Sequence, residues 1–300
     1  MDGVYGHPPA DLAVAPAGAI QFSAMTPGSA RLEDWPDAAF ASITALAPPG
    51  VLERRYLLAQ ALRLLEAGGR LTALAPKDRG GSRLGKELAA FGCAVEEVAR
   101  RHHRICVVVK PDAAAGLDQA IEAGGIQIPP ALGLWSQPGI FSWDRLDPGT
   151  GLLLRHLPRL AGSGADFGCG AGVLARAVLA SEAVTHLELI DIDRRAVDAA
   201  RRNIEDDRAA FSWRDLRLDA MKPDSLDFVV MNPPFHDSGM EDRALGEAFI
   251  RRAAAELKPG GVCWLVANRH LPYESALRTL FPDARLVEQT GGYKIHEARR

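Results

Sequence analysis

The sequence predicts an α/β protein of two tandem domains, each a mostly parallel sheet with helices between its strands and an antiparallel hairpin at its end. Three observations predict it. Short apolar runs alternate with stretches of helical period along the 300 residues, the pattern of strand–helix units. The order of these elements occurs twice, over about 40–110 and again over 228–298. A glycine loop, Gly168-Cys169-Gly170-Ala171-Gly172, stands between a strand pattern and a helix pattern, where sheets of this class bind ligands. The length also exceeds one ordinary domain.

In the first copy, residues 1 to about 40 are rich in Pro, Ala and Gly and weakly patterned, with a strand expected at Ala19–Ala24. Ser42–Leu46 is an apolar run ending at Ala47-Pro48-Pro49-Gly50. A helix is expected over Val51–Glu66, with Leu52, Tyr56, Leu57, Ala61 and Leu64 at helical spacing, stopped by Gly68-Gly69 acting as a C-cap. Leu71–Ala75 is the next strand, Gly85–Phe91 a helix, and Val95–Val109 two strands about the Arg100–Arg104 turn.

The second copy repeats this order. Phe228–Met231 runs into Asn232-Pro233-Pro234-Phe235, then come a helix over about 243–257, which Gly260-Gly261 is expected to stop, and a strand at Val262–Ala267. A helix at Tyr273–Leu280 precedes a hairpin, Arg285–Thr290 and Tyr293–Ala298 about Gly291-Gly292. The copies differ where chemistry would sit: Ala47 stands for Asn232, Gly50 for Phe235, and nothing before Ser42 resembles the glycine loop. The expected domains are therefore 1–125, a degenerate copy short at its start whose first strands are missing, and 126–300, the working one. Between them Ile126–Pro148 carries Trp135, Phe141 and Trp143; too apolar for a plain linker, it either covers a pocket or docks the domains.

The chemistry is concentrated at strand ends. A proline pair cannot continue a central strand, so Asn232 sits on a stiff corner with Phe235 beyond it. An amide and an aromatic face there suit a flat, nitrogen-bearing substrate. Glycines 168, 170 and 172 allow a tight turn and close approach of a ligand to backbone. Asp191, about twenty residues past the loop at the end of Leu187–Ile190, can accept both hydrogen bonds of a ribose diol. That spacing alone also fits a nicotinamide or flavin site. Asp166 ahead of the loop would repel a pyrophosphate and attract an ammonium, which points to a ligand with an amino-acid end.

Together Asp166–Gly172, Asp191, Asp219 after a strand expected at Leu216–Leu218, and Asn232–Phe235 resemble class I S-adenosylmethionine-dependent methyltransferases. The resemblance narrows with Pro138-Gly139-Ile140-Phe141-Ser142, Leu146-Asp147, Val266-Ala267-Asn268, Leu271-Pro272-Tyr273 and Gln289-Thr290-Gly291, which are similar to the tandem-domain bacterial ribosomal RNA guanine-N2 methyltransferases. It implies two Rossmann-like domains, the first without cofactor and serving folding and RNA contact. It also implies S-adenosylmethionine held by Asp166, Gly168, Gly170, Gly172, Asp191, Ile192, Asp219, Ala220 and Asn232. Catalysis would fall to Asn232 and Pro233, accepting the two N–H bonds of the guanine amine, and to Phe235, stacking on an unpaired or flipped base. His236 and Asp237 are expected to be solvated loop residues, since no strong base is needed.

Composition limits the partners. The net charge of −3 excludes a global basic field, so ribosomal RNA or a ribosomal subunit would need a local patch: Lys77, Arg79, Arg83 and Lys86, or Arg100, Arg101 and Arg104. Cys93, Cys106, Cys169 and Cys263 are scattered, which predicts neither metal nor disulfides and fits a cytoplasmic protein, expected to be a monomer. No apolar run reaches membrane-spanning length. Competing readings are methylation of a large-subunit guanine, a DNA adenine or a protein glutamine, and a non-catalytic RNA-binding assembly protein.

Overall fold

The apolar runs do form strands, and their unbroken apolar character follows from cover on both faces. The computed structural model describes the chain except Ala220, Met221, Phe235, Ser238, Gly239 and Asp242, and only the backbone of His236, Asp237, Met240, Glu241 and Arg243. The chain divides into two units, Met1–Gln127 with Gln137–Gly139, and Ile128–Ser136 with Ile140–Arg300. The division falls close to the expected 125/126 boundary, with the connecting segment shared between the two.

The first unit runs β1 (Asp2–Tyr5), β2 (Ile20–Phe22), β3 (Phe40–Leu46), α1 (Val51–Leu64), β4 (Leu65–Pro76), an irregular turn Lys77–Gly81, α2 (Ser82–Ala90), β5 (Val95–Arg100), β6 (His103–Val109) and α3 (Leu117–Gly124). Its sheet order is β2-β1-β3-β4-β6-β5. Only β6 runs antiparallel to its neighbours. Phe22, Phe40 and Trp35 meet edge to face beside this core.

The second unit runs α4 (Pro148–His156), β7 (Gly162–Phe167), α5 (Val173–Leu179), β8 (Val184–Asp191), α6 (Arg194–Asn203), β9 (Ala209–Trp213), β10 (Leu226–Met231), β11 (His236–Asp237), β12 (Met240–Glu241), α7 (Arg243–Glu256), β13 (Leu257–Asn268), α8 (Glu274–Leu280), β14 (Asp283–Thr290) and β15 (Tyr293–Arg299). Its order, β14-β15-β13-β10-β7-β8-β9, is doubly wound and reverses between β7 and β10. Along β10, Phe228 and Val230 enter one core and Val229 and Met231 the other, so a continuous apolar run is buried on both sides. β11 and β12 pair as a small antiparallel ribbon after the proline corner.

The duplication is present strand for strand: β1, β2, β3, β4, β5 and β6 take the places of β7, β8, β10, β13, β14 and β15. A shared irregularity supports it. Opposite Phe40–Ser42, β4 passes from Leu65 to Arg70; opposite Leu226–Phe228, β13 passes from Leu257 to Val262. Both copies thus carry the same bulge.

Three expectations are corrected. Gly68-Gly69 and Gly260-Gly261 are not helix caps; the helices end at Leu64 and Glu256, and both glycine pairs lie within the strand bulges. The first strands of the N-terminal copy are present as β1 and β2; among the described residues, β9 of the seven-stranded sheet and the β11–β12 ribbon lack counterparts. What is missing there are the helices that follow the corresponding strands, since residues 6–19 and 23–39 hold turns and loop. Finally, Leu216–Leu218 is a turn; the strand before it is β9, which ends at Trp213.

Candidate active site

Three adjacent strands, β10, β7 and β8, end side by side, and the expected chemistry gathers at those ends. β7 delivers Asp166, which is fully buried. Neither of its oxygens makes a hydrogen bond of ordinary geometry within the described residues. Burial first, then the charge of Asp191, raises its pKa to about 8, against a smaller opposing pull from the Ala175 backbone N–H. A buried carboxyl of this kind calls for a cationic or hydrogen-bond-donating partner.

The loop after β7 turns through Gly168, Gly170 and Gly172, with φ of +75°, +52° and +84°, the left-handed region that side chains disfavour. The N–H groups of Gly168 and Cys169 both donate to Ile190 O, at 2.9 and 3.0 Å, tying the loop to β8. Asp191, at the end of β8, accepts from Gly170 N and Asp193 N, each at 2.9 Å. Burial and the neighbouring Asp193 lift its pKa to about 6, while those backbone donors pull the other way. The Ile192 carbonyl accepts from Trp213 Nε1 at 2.8 Å. Burial and the nearby carboxylates hold the Cys169 thiol well above its ordinary range, so it is inert.

At the end of β10, Asn232 is held by its amide nitrogen. Nδ2 donates to Asp147 Oδ2 at 3.0 Å and to Thr150 Oγ1 at 2.9 Å. Asp147 is the N-cap of α4, accepting from Thr150 N at 2.7 Å, with Pro148 at the first helical position. The Asn232 Oδ1 is thereby left to act as an acceptor.

A pocket is lined by the glycine loop, Asn232, Asp147 and Thr150, with Leu132, Phe141 and Leu146 from the connecting segment. Of the two roles expected for that segment, cover of the pocket is what Ile128–Ser136 and Ile140–Asp147 provide. Asn203 fastens it: its side chain donates to Trp135 O and Ala171 O and accepts from Trp135 N, at 2.8–2.9 Å. The Arg202 guanidinium lies 5.2 Å from the Trp135 ring centroid.

Asp166, Gly168, Gly170, Gly172, Asp191, Ile192, Asn232 and Pro233 are thus gathered at the carboxyl ends of the adjacent strands β7, β8 and β10. Asp219 is exposed, in the turn after β9, with its N–H on Asp215 O at 2.8 Å. Ala220 and Phe235 lie outside the described residues, as do the side chains of His236 and Asp237. Asp147, Thr150 and Asn203 were not singled out as site residues from sequence. The Asp-Pro-x-Thr helix start was a legible signal for the first two; nothing marked Asn203.

The site has the features of a class I S-adenosylmethionine-dependent methyltransferase, and comparison with known proteins agrees. Residues 131–297 match the Methyltransferase small domain family. Ribosomal RNA small subunit methyltransferase C of Pseudomonas aeruginosa (strain LESB58) is 34% identical over 287 residues, covering 93% of this chain and 86% of that protein. Its counterpart in Pseudomonas putida (strain F1) is 31% identical over 277 residues, covering 88% and 81%. Among solved structures, the Thermus thermophilus 16S rRNA N2 G1207 methyltransferase in complex with AdoMet and guanosine superimposes with a TM-score of 0.76 at 26% identity, over 90% of this chain and 76% of that one. The chain belongs to the methyltransferase small-domain family and, within it, to the ribosomal RNA small subunit methyltransferase C family.

Proposed function

We propose that this protein transfers a methyl group from S-adenosylmethionine to the exocyclic N2 amine of a guanine in small-subunit ribosomal RNA. The observation that carries the reading is Asn232, fixed at a strand end beside the glycine loop with its amide hydrogens already used and its oxygen left to accept. The residues fit the cofactor. Asp166 is an unpartnered buried carboxyl suited to the ammonium, the left-handed glycines leave backbone open beneath the methionine part, and Asp191 stands where ribose hydroxyls would donate. Ile192, Asp219 and Ala220 complete the cofactor set in this reading. When bound, S-adenosylmethionine would supply an electrophilic methyl group, its S–CH3 bond breaking as the N–C bond forms and leaving S-adenosylhomocysteine.

Everything else falls to the chain. The guanine amine is a poor nucleophile because its lone pair is delocalised into the ring. Asn232 Oδ1 and the Pro233 carbonyl accept its two N–H bonds and hold the nitrogen toward pyramidal geometry. As the N–C bond forms, positive charge develops on that nitrogen, and the same acceptors stabilise it. One proton then leaves to solvent. Phe235 is assigned to stack on the base, with the exposed Phe141 and Leu146 as further apolar cover. The first unit is assigned scaffolding and RNA contact without cofactor; the protein is read as a cytoplasmic monomer that needs no metal. Among the described residues, no helix is long and apolar enough to cross a membrane.

The test is to map N2-methylguanine in ribosomal RNA from cells with and without the protein. One small-subunit guanine should lose its methyl group and regain it when the gene is restored. An unchanged small-subunit map would overturn the reading.

A further inference from the structure

We propose that Asp147 is a positioning residue for methyl transfer: it fixes which end of the Asn232 amide faces the substrate and polarises that end. The proposal rests on the guanine-N2 reading above. An asparagine side chain presents an oxygen and an NH2 group of nearly equal size. Turned one way it accepts from an amine; turned the other way it repels the same amine with its own hydrogens. Something must choose, and the choice is made at the start of α4.

A carboxylate accepts hydrogen bonds and has none to give. Asp147 Oδ2, 3.0 Å from Asn232 Nδ2, can therefore face only the NH2 end. Thr150 Oγ1 takes the second amide hydrogen at 2.9 Å. The carboxylate is itself immobilised, since Oδ2 also accepts Thr150 N at 2.7 Å. The turn is tight as well: a Cβ on Gly149 would come within 2.7 Å of the Tyr293 ring and 3.0 Å of Asp147 Oδ2. Helix start, carboxylate and amide thus form one rigid assembly.

The consequence is electronic as well as geometric. An amide whose N–H donates to an anion carries more negative charge on its oxygen, because linked hydrogen bonds polarise one another. In Asn232 that oxygen is the one aimed at the reacting nitrogen, where positive charge builds as the N–C bond forms. No proton moves along the chain; the carboxylate acts through the amide. A keto oxygen or an unprotonated ring nitrogen offered at the same place would meet lone pair with lone pair, so the arrangement selects an amine.

Three variants separate this role from helix capping. Asp147→Ser retains a side chain that caps helices but has neither the charge nor the reach to meet Asn232. Asp147→Asn retains shape and cap without the charge. Thr150→Val removes the hydroxyl and leaves the cap untouched. Turnover is measured on undermethylated small-subunit RNA, with N2-methylguanosine read by mass spectrometry. Asp147→Ser is expected to lower kcat roughly 100-fold, and Asp147→Asn and Thr150→Val each about 10-fold. Cofactor Kd, RNA KM and the melting temperature should stay near wild type, a split that mere destabilisation would not produce. An Asp147→Ser kcat within about threefold of wild type overturns the proposal. Should that variant unfold, near-wild-type kcat in both of the others overturns it. A wild-type enzyme that forms no N2-methylguanosine overturns the guanine reading, and this inference with it.

Discussion

At the scale of single residues, Asn232 and Asp166 are assigned different work and should respond differently to change. The acceptor contacts assigned to Asn232 Oδ1 are to the substrate, and Asn232 is only one residue of the cofactor set, so Asn232→Ala should abolish methyl transfer while weakening cofactor binding by no more than about fivefold; a variant with near-wild-type turnover on ribosomal RNA refutes the mechanism. Asp166 and Asp191 are raised to about 8 and about 6, above an unfolded carboxylate at roughly 3.9. Each therefore favours the fold while protonated. That contribution is complete below about pH 4 and is lost as pH rises through about 6 for Asp191 and about 8 for Asp166. An ammonium beside Asp166 draws its pKa back down, so binding S-adenosylmethionine at pH 7 should expel a proton. Calorimetry in buffers of different ionisation heat measures this directly, and the release should vanish in Asp166→Asn. Equal proton release in the two proteins would show that Asp166 does not meet the ammonium. Both residues were legible in the sequence, because a residue that ends a strand at a proline pair or a glycine loop announces its position. Asp147 and Asn203 were not seen as partners, because they lie 85 residues from Asn232 and 32 from Ala171 along the chain and only the fold joins them.

At the scale of elements, periodicity located the central strands and most helices, and failed where glycine has more than one use. Gly68-Gly69 and Gly260-Gly261 follow helices closely enough to look like caps, yet both lie in bulges of the next strand. The steric reason is the same twice. A Cβ on Gly69 would lie 2.9 Å from Glu66 O and 3.2 Å from Ala41 O; on Gly261 it would lie 2.9 Å from Lys258 O and 3.1 Å from Leu226 O. These neighbours are backbone and give way little. Gly69→Ala and Gly261→Ala should each cost about 1–3 kcal/mol of stability, as overpacked sites do, seen as a lower unfolding midpoint in urea. An unchanged midpoint for either would mean the bulge has slack. The β1 strand was missed because Asp2–Tyr5 is only four residues long, too short to show a period. α6 was missed although its buried Ala196, Val197, Ala199 and Ala200 alternate with charged residues at helical spacing, a contrast the sequence does carry.

At the scale of the whole molecule, one ancestral plan has been kept twice and used differently. The second unit retains the loop, the acids and the amide. In the first, the corner after β3 is filled: the fully buried Arg54 guanidinium donates to Pro48 O at 3.1 Å and Pro49 O at 2.7 Å, and is paired with Glu87 at 2.6 Å. No helix follows β1 or β2, so the first unit has no helix N-terminus at the place where the second holds its glycine loop. Titration with S-adenosylmethionine should therefore find one site per chain, lost or weakened in Asp191→Ala; two sites, or full affinity in that variant, would contradict the division of labour. Under the proposed assignment of cofactor and chemistry to the second unit, the first is left to hold RNA, and the charges indicate where. Arg101 is paired with Asp11, and Arg104 with Glu97, so two of the three arginines of the Arg100–Arg104 turn are already paired. Lys77, Arg83 and Lys86 are exposed and Arg79 half-exposed about the Lys77–Gly81 turn, and among the described residues none of the four is paired with a carboxylate. Phosphate contacts there release counterions, and each contributes a slope of roughly 0.7–0.9 to the logarithmic dependence of RNA affinity on salt. Changing all four to Ala should flatten that dependence by up to roughly three units, alike for RNAs of different sequence. Cofactor affinity should not move, because the cluster belongs to the unit to which no cofactor is assigned. An unchanged salt slope in the quadruple variant would make the cluster an ordinary solvated face, and would assign the grip on RNA to the catalytic unit.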